Sequence, residues 1–262
     1  MSKNTIIKSL VALTVMTTLA TTTNGITDLK QSHLVAQAEE TNVVPPKREV
    51  VKNSLHSPYN IVTKIQGPGF SASGFVSGKT TVMTNKHVLD SILKEGTLKT
   101  DVILAKNDAN EGDKKDLGTF KIKDYTLAPD NMDVVVLEMN PNEKGQHIGD
   151  VVQPAKIKNA DEINQTWIDN NKDKKFFTAG YPGDKDLNKM WHSEGHLLFF
   201  VGRTDPYDFH AKMPGAPGVS GSPVFNDKNE VVGIFYGGWE AGNGIDGLMF
   251  REKLYDFVVA NS

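Results

Sequence analysis

Between residues 59 and 250 the apolar positions fall into short runs of three to six residues, punctuated by Gly and Pro. Ile61-Val62-Thr63-Lys64-Ile65, Gly74-Phe75-Val76-Ser77 and Thr81-Val82-Met83-Thr84 are the first of them, and they read as strands of an antiparallel β protein. Further strands are expected at 101–104, 118–122 and 134–139. A second set is expected at 176–180, 196–201, 224–225, 231–236 and 248–250. Helical spacing occurs in only two places, 88–94 (VLDSILK) and the terminal 251–259 (REKLYDFVV), where Leu254, Phe257 and Val258 share a face. The polar stretch 140–171 separates the two sets of strands. The pattern therefore predicts two packed β-barrels or one large sandwich, closed by a C-terminal helix.

Composition narrows the function classes. At 262 residues and 38% hydrophobic the chain can bury a substantial core, and a net charge of −3 argues against a general nucleic-acid or lipid-surface binder. It contains no cysteine, which removes disulfides, thiol nucleophiles and cysteine metal sites together. The N-terminus has the layout of an export signal: Lys3 and Lys8, an apolar run over 10–20 too short to span a membrane, then Ala36-Gln37-Ala38 as a cleavage site. A mature, secreted, extracellular protein starting near Glu39 is expected, with no membrane association after the signal is removed. Residues 1–38 are thus assigned to the signal, 39–57 to an N-terminal arm or short pro-segment, and 58–262 to one two-barrel domain, the barrels at about 58–150 and 172–250.

The candidate chemistry lies in three places. Gly218-Val219-Ser220-Gly221-Ser222-Pro223-Val224 sets a serine on a tight glycine-flanked turn, where its hydroxyl is a weak nucleophile until a base takes the proton. Among seven histidines (His33, His56, His87, His147, His192, His196 and His210) only His87 directly follows a strand-like run and opens a helix, a position that fixes a ring as a general base requires. Asp133 stands at the mouth of the apolar run 134–137, where a carboxylate needs a partner, and a histidine Nδ1–H is a suitable one. The chain order His87, Asp133, Ser220 is that of chymotrypsin-like proteases and differs from the α/β-hydrolases and subtilisins. No His-Glu-x-x-His and no Gly-x-x-x-x-Gly-Lys occurs, and in the acidic stretch 108–116 Gly112 sits where a calcium ligand belongs. No cofactor is expected.

These residues carry a resemblance. Thr84-Asn85-Lys86-His87-Val88, Asp133 before its strand, Gly180-Tyr181-Pro182-Gly183-Asp184-Lys185, Met190-Trp191 and residues 218–224 are similar to the bacterial glutamyl endopeptidases, with the exfoliative toxins and Spl-type proteases as relatives. Asn142-Glu143, His147-Ile148-Gly149 and the run 225–230 (FNDKNE) extend it over about residues 58–258, and the signal segment resembles that of the Spl-type members. The resemblance implies an all-β fold of two antiparallel six-stranded barrels with the site between them. It implies His87 as general base and acid, Asp133 as orienting carboxylate, Ser220 as nucleophile, and the Gly218 and Ser220 N–H groups as the oxyanion hole. Ile234-Phe235-Tyr236-Gly237-Gly238 would be the strand that pairs with the substrate backbone.

The sequence departs from that family in two places. A histidine that helps bind the substrate's glutamate is replaced by Phe235, and a threonine of the same pocket falls in Met213-Pro214-Gly215-Ala216-Pro217. Phe235 has no proton to donate, and a carboxylate desolvated against it would lose several kcal/mol. An apolar or uncharged residue before the cut bond is therefore expected, with Phe235, Tyr236, Gly237, Gly238 and Gly215 as substrate-binding positions. Val219 replaces the usual Asn or Asp before the nucleophile, and a β-branched residue tolerates left-handed backbone poorly. The expected function is a monomeric, secreted serine endopeptidase acting on protein or peptide substrates, host proteins among them. The alternative is a latent or single-target homologue that acts as a toxin-like or binding protein.

Overall fold

The computed structural model describes residues 43–201, 206–239 and 244–262; the expected signal segment lies outside them. The strands are β1 Lys47–Val50, β2 Val62–Gly67, β3 Phe70–Val76, β4 Thr81–Thr84, β5 Asp101–Leu104, β6 Gly118–Phe120 and β7 Ile122–Leu127. They continue as β8 Val135–Met139, β9 Phe176–Gly180, β10 Trp191–Phe200, β11 Asp208–Lys212, β12 Pro223–Phe225, β13 Val231–Trp239 and β14 Gly244–Met249. Every pairing between these strands is antiparallel, and a single parallel bridge joins Ile157 to Val231.

The first sheet runs β6-β5-β2-β3-β4-β8-β7 and curls on itself. Its two ends, β6 and β7, are separated only by Lys121, so the chain itself spans the opening. The second sheet runs β1-β10-β11-β14-β13-β12-β9, and a further β9–β10 pairing closes six of its strands into a barrel. Closure removes the unpaired edges that would otherwise template aggregation. β1 adds to the outside of that barrel through β10, in the register Lys47↔Glu194 to Val50↔Trp191. It is polar and half-exposed because it lies on a surface edge. The chain closes with α4 (Glu252–Ala260), following α1 (Lys86–Glu95) and the short α2 (Ile148–Val151) and α3 (Gln165–Asn170) in the connection.

Alternation explains the strands and burial explains their permanence. In β8 four of five residues are buried, as are all five of β9, so neither shows the half-polar pattern of an edge. Only the second sheet closes; where two closed barrels are expected, the first is a curled seven-stranded half-barrel, because its end strands β6 and β7 do not pair. One apolar cluster fills its concave face and continues between the sheets through Phe177, Tyr181 and Phe225. A second, with Phe209, Met213, Phe235 and Ile245, fills the interior of the closed barrel.

A buried histidine in β10 gives the fold a pH dependence. His192 is 6% exposed, its Nδ1 3.2 Å from the Tyr59 hydroxyl and its Nε2 3.1 Å from Glu194 Oε2. Burial holds its pKa below the ordinary 6.5 and outweighs the opposing pull of Glu194. The unfolded chain then binds more protons than the folded one as pH falls below 6.5, so this group's stabilisation is complete above that value and declines through the window beneath it. Melting temperatures recorded from pH 7.5 to 5 should fall, and His192→Gln should flatten that slope. An unchanged slope in the variant would assign the acid sensitivity elsewhere.

Candidate active site

His87 is the second residue of α1. Asn85 precedes the helix with extended backbone (φ −86, ψ 154), and its side-chain amide donates to the Asp133 carbonyl at 2.8 Å. Helix start and carboxylate are thereby fixed to one another. Asp133 then meets His87 twice: its Oδ1 accepts the backbone N–H at 2.9 Å, and its Oδ2 lies 2.7 Å from Nδ1. Burial alone would raise the Asp133 pKa, but the side-chain and backbone bonds from His87 outweigh it and hold the carboxyl below its usual range. An ionised carboxylate accepts, so Nδ1 donates, and in the neutral ring this leaves Nε2 as the acceptor.

The serine turn is gripped from both sheets. Ser73, on β3 of the first sheet, donates its N–H to Ser220 O at 2.9 Å and its hydroxyl to Gly218 O at 2.8 Å. Thr84 Oγ1 in turn donates to Ser73 O at 2.8 Å. From the second barrel, Gly221 N–H donates to Phe235 O at 2.9 Å and Phe235 N–H to Ser222 O at 3.0 Å. Gly221 has φ +86, and a Cβ there would lie 2.1 Å from Ser73 O, which accounts for the glycine.

Two N–H groups of this turn are left aimed outward. The Pro217 carbonyl accepts from Gly183 N–H at 2.6 Å, so the Gly218 N–H across the same trans peptide points the opposite way. The Val219 carbonyl accepts from Ser222 N–H at 2.9 Å and Ser222 Oγ at 2.5 Å, which directs the Ser220 N–H away likewise. Neither N–H meets a protein acceptor among the described residues. Gly218 has φ +102, whereas Val219 keeps a negative φ and is buried at 4%. The β-branched residue therefore occupies the turn without left-handed strain. Asp184, beside Gly183, is held by Arg48 of β1 through bonds of 3.2 and 2.6 Å.

His87 and Asp133 are thus in direct contact. The Ser220 hydroxyl donates to Tyr236 O at 3.1 Å, and among the described residues no hydrogen bond joins it to His87. β12 and the serine turn cover β13 as far as Phe235. Tyr236, Gly237 and Gly238 follow, partly or fully exposed, while Phe235 has no exposed surface and packs 5.6 Å from Phe209. Gly215 is buried. The Tyr236 hydroxyl donates to Asp208 Oδ1 at 2.6 Å; burial and then that carboxylate push its pKa far above normal, keeping it protonated. Ser73 and Arg48 carried no sequence signal, since serine in a strand and arginine in a polar arm are commonplace, whereas Asn85 and Asp184 lie in the motifs that carry the resemblance.

A closed β-barrel packed on a curled half-barrel sheet, with a carboxylate-held histidine on one and a glycine-flanked serine turn on the other, has the architecture of the chymotrypsin-like serine peptidases. The profile of the trypsin-like peptidase domain matches residues 72–234, more than half of the chain, and the chain belongs to that family. Its sequence is 35% identical over 232 residues to glutamyl endopeptidases of Staphylococcus aureus, among them those of strains MW2 and MSSA476. The match covers 86% of this chain and 66% and 65% of those relatives, so the chain spans slightly less than two thirds of their length. A solved Glu endopeptidase in complex with MPD superposes with a TM-score of 0.64 at 19% identity, covering 81% of this chain and 95% of that one. The protease Anisep from Arthrobacter nicotinovorans gives 0.59 at 16% identity, covering 82% and 99%. At these identities the structures establish the shared fold.

Proposed function

We propose that this protein is an exported serine endopeptidase in which His87, Asp133 and Ser220 form the catalytic triad, and that it does not prefer glutamate before the cut bond. The observation that carries the reading is the doubly bonded His87–Asp133 pair. In the reaction the Ser220 hydroxyl turns from Tyr236 O to His87 Nε2 and gives up its proton as Oγ attacks the substrate carbonyl. The outward N–H groups of Gly218 and Ser220 receive the developing oxyanion. His87 returns the proton to the leaving amine, an acyl-enzyme forms on Ser220, and water repeats the sequence in reverse. The substrate backbone adds to β13 at Tyr236–Gly238, beyond the reach of β12.

Export is supported by the basic and apolar residues before Ala36-Gln37-Ala38, and among the described residues no helix is long and apolar enough to cross a membrane. The phenyl ring of Phe235 supports the altered specificity, since it supplies neither charge nor proton to a carboxylate. A second reading, a latent or single-target homologue, draws on the Ser220–Tyr236 bond.

Incubation with a fluorophosphonate followed by peptide mapping tests the proposal. One adduct is expected, on Ser220, with concurrent cleavage of a mixed peptide library. An adduct without library cleavage would favour the single-target reading, and absence of any adduct would overturn the triad.

A further inference from the structure

On the serine-endopeptidase reading, the side chain before the cut bond would enter between residues 213–217 and β13 from Phe235 to Gly238. β14 crosses between them. Its Ile245 is paired to Gly238 on one neighbour and Ala211 on the other, so the Ile245 side chain emerges on the face that Gly238 leaves empty. That side chain runs up to the opposite wall. A Cβ built on Gly215 would lie 1.9 Å from Ile245 Cγ2. The position that a residue-215 side chain would occupy is therefore already filled by the isoleucine.

Exposure shows how complete the filling is. Ile245, Phe235 and Met213 each have 0% exposure, whereas the rim formed by Pro214, Ala216, Tyr236 and Gly237 is partly open. Water itself does not reach the apolar floor. We infer that Ile245 plugs the pocket for the residue before the cut bond, and that the enzyme accepts only small side chains there, glycine, alanine or serine. The inference rests on the serine-endopeptidase reading and goes beyond loss of glutamate preference, which Phe235 alone would bring about. Phe235 removes the partner for a charge; Ile245 removes the volume for any large side chain, apolar ones included. A larger group has to displace a buried side chain from a close-packed interior.

The test uses diphenyl phosphonates of one peptide series that differ only in the side chain at the reacting position: Ala, Leu, Phe, Glu and Lys. Labelling of Ser220 should be fastest with Ala and about 50-fold slower with Phe or Glu, within the range by which a hydrophobic pocket discriminates on size. Ile245→Gly should bring the Leu and Phe probes level with Ala or ahead of it. Ile245→Ala, which removes Cγ2 but keeps a Cβ in the strand, should shift the ratio in the same direction by a smaller factor. Wild-type labelling by Phe, Leu, Glu or Lys as fast as by Ala would overturn the plug while leaving the serine-endopeptidase reading intact. No adduct with any probe would overturn that reading, and the plug with it.

Discussion

Asp133→Asn is expected to lower kcat by about 10⁴-fold with little change in KM, the scale on which loss of the tautomer-fixing carboxylate acts in Ser-His-Asp enzymes. The substitution preserves size and leaves Oδ1 to accept the His87 backbone N–H, so the start of α1 should stay in place. The change is confined to the 2.7 Å contact at Nδ1. A carboxylate there accepts a proton; an amide nitrogen donates one. Nδ1 must then become the acceptor, and the ring's remaining proton moves to Nε2, the atom that has to take the proton from Ser220. Ser220→Ala should cost about 10⁶-fold, and the double variant should be no slower than Ser220→Ala alone, because the residues act as one unit. Steady-state kinetics on any cleaved peptide read all three, with far-UV circular dichroism to establish that the fold is retained. Asp133→Asn at wild-type rate would remove Asp133 from the mechanism, and additive losses would remove the coupling.

Those residues were legible because each broke a pattern. His87 opens the only helix within the first set of strands, Asp133 is a carboxylate at the head of a buried strand, and Ser220 lies between two glycines. Most of the strands were legible for a related reason: a short apolar run flanked by Gly or Pro has few alternatives to β structure. The elements that escaped lacked that contrast. β1 (KREV) is charged and lies on an outer edge, where pairing to β10 and not apolar burial defines it. In β11 (DFHAK) only Phe209 and Ala211 are buried, too few for alternation to register. The first half of β10 (WHSEG) is held between β1 and β9 although His192 and Glu194 make it look polar.

The supporting side chains were invisible for a different reason. Ser73 matters because β3 carries it to within 2.8–2.9 Å of a turn almost 150 residues later. Ile245 matters because it meets the missing side chain of Gly215 across the barrel. Each residue is ordinary in its local context and acquires its role from a contact that only the closed topology creates. Sequence order therefore pointed to the groups proposed to react, while the size of the space beside them depended on long-range register.

Gly218→Ala is the second large effect expected, a fall of about 10²–10³ in kcat, as for removal of one oxyanion donor elsewhere. At φ +102 an alanine is strained wherever it stands, and here its Cβ would lie 2.4 Å from the Tyr181 carbonyl. Tyr181 cannot yield easily: it is fully buried, and its N–H donates to Ser73 Oγ at 3.1 Å. The relief available is for the 217–218 peptide to rotate, which pulls the Pro217 carbonyl off Gly183 and swings the Gly218 N–H out of line. Chemistry should then slow while substrate affinity, which depends on β13, holds. Gly112→Ala is the matched control, since it also has positive φ (+73) but nothing within 4 Å of a Cβ. It should lose about 1 kcal/mol of stability from backbone strain alone and keep full activity. If the two variants lose stability alike and neither loses kcat, the Gly218 N–H takes no part in stabilising the oxyanion. If only Gly218→Ala slows the reaction, left-handed strain as such is excluded as the cause, and the loss belongs to the direction in which one peptide N–H points.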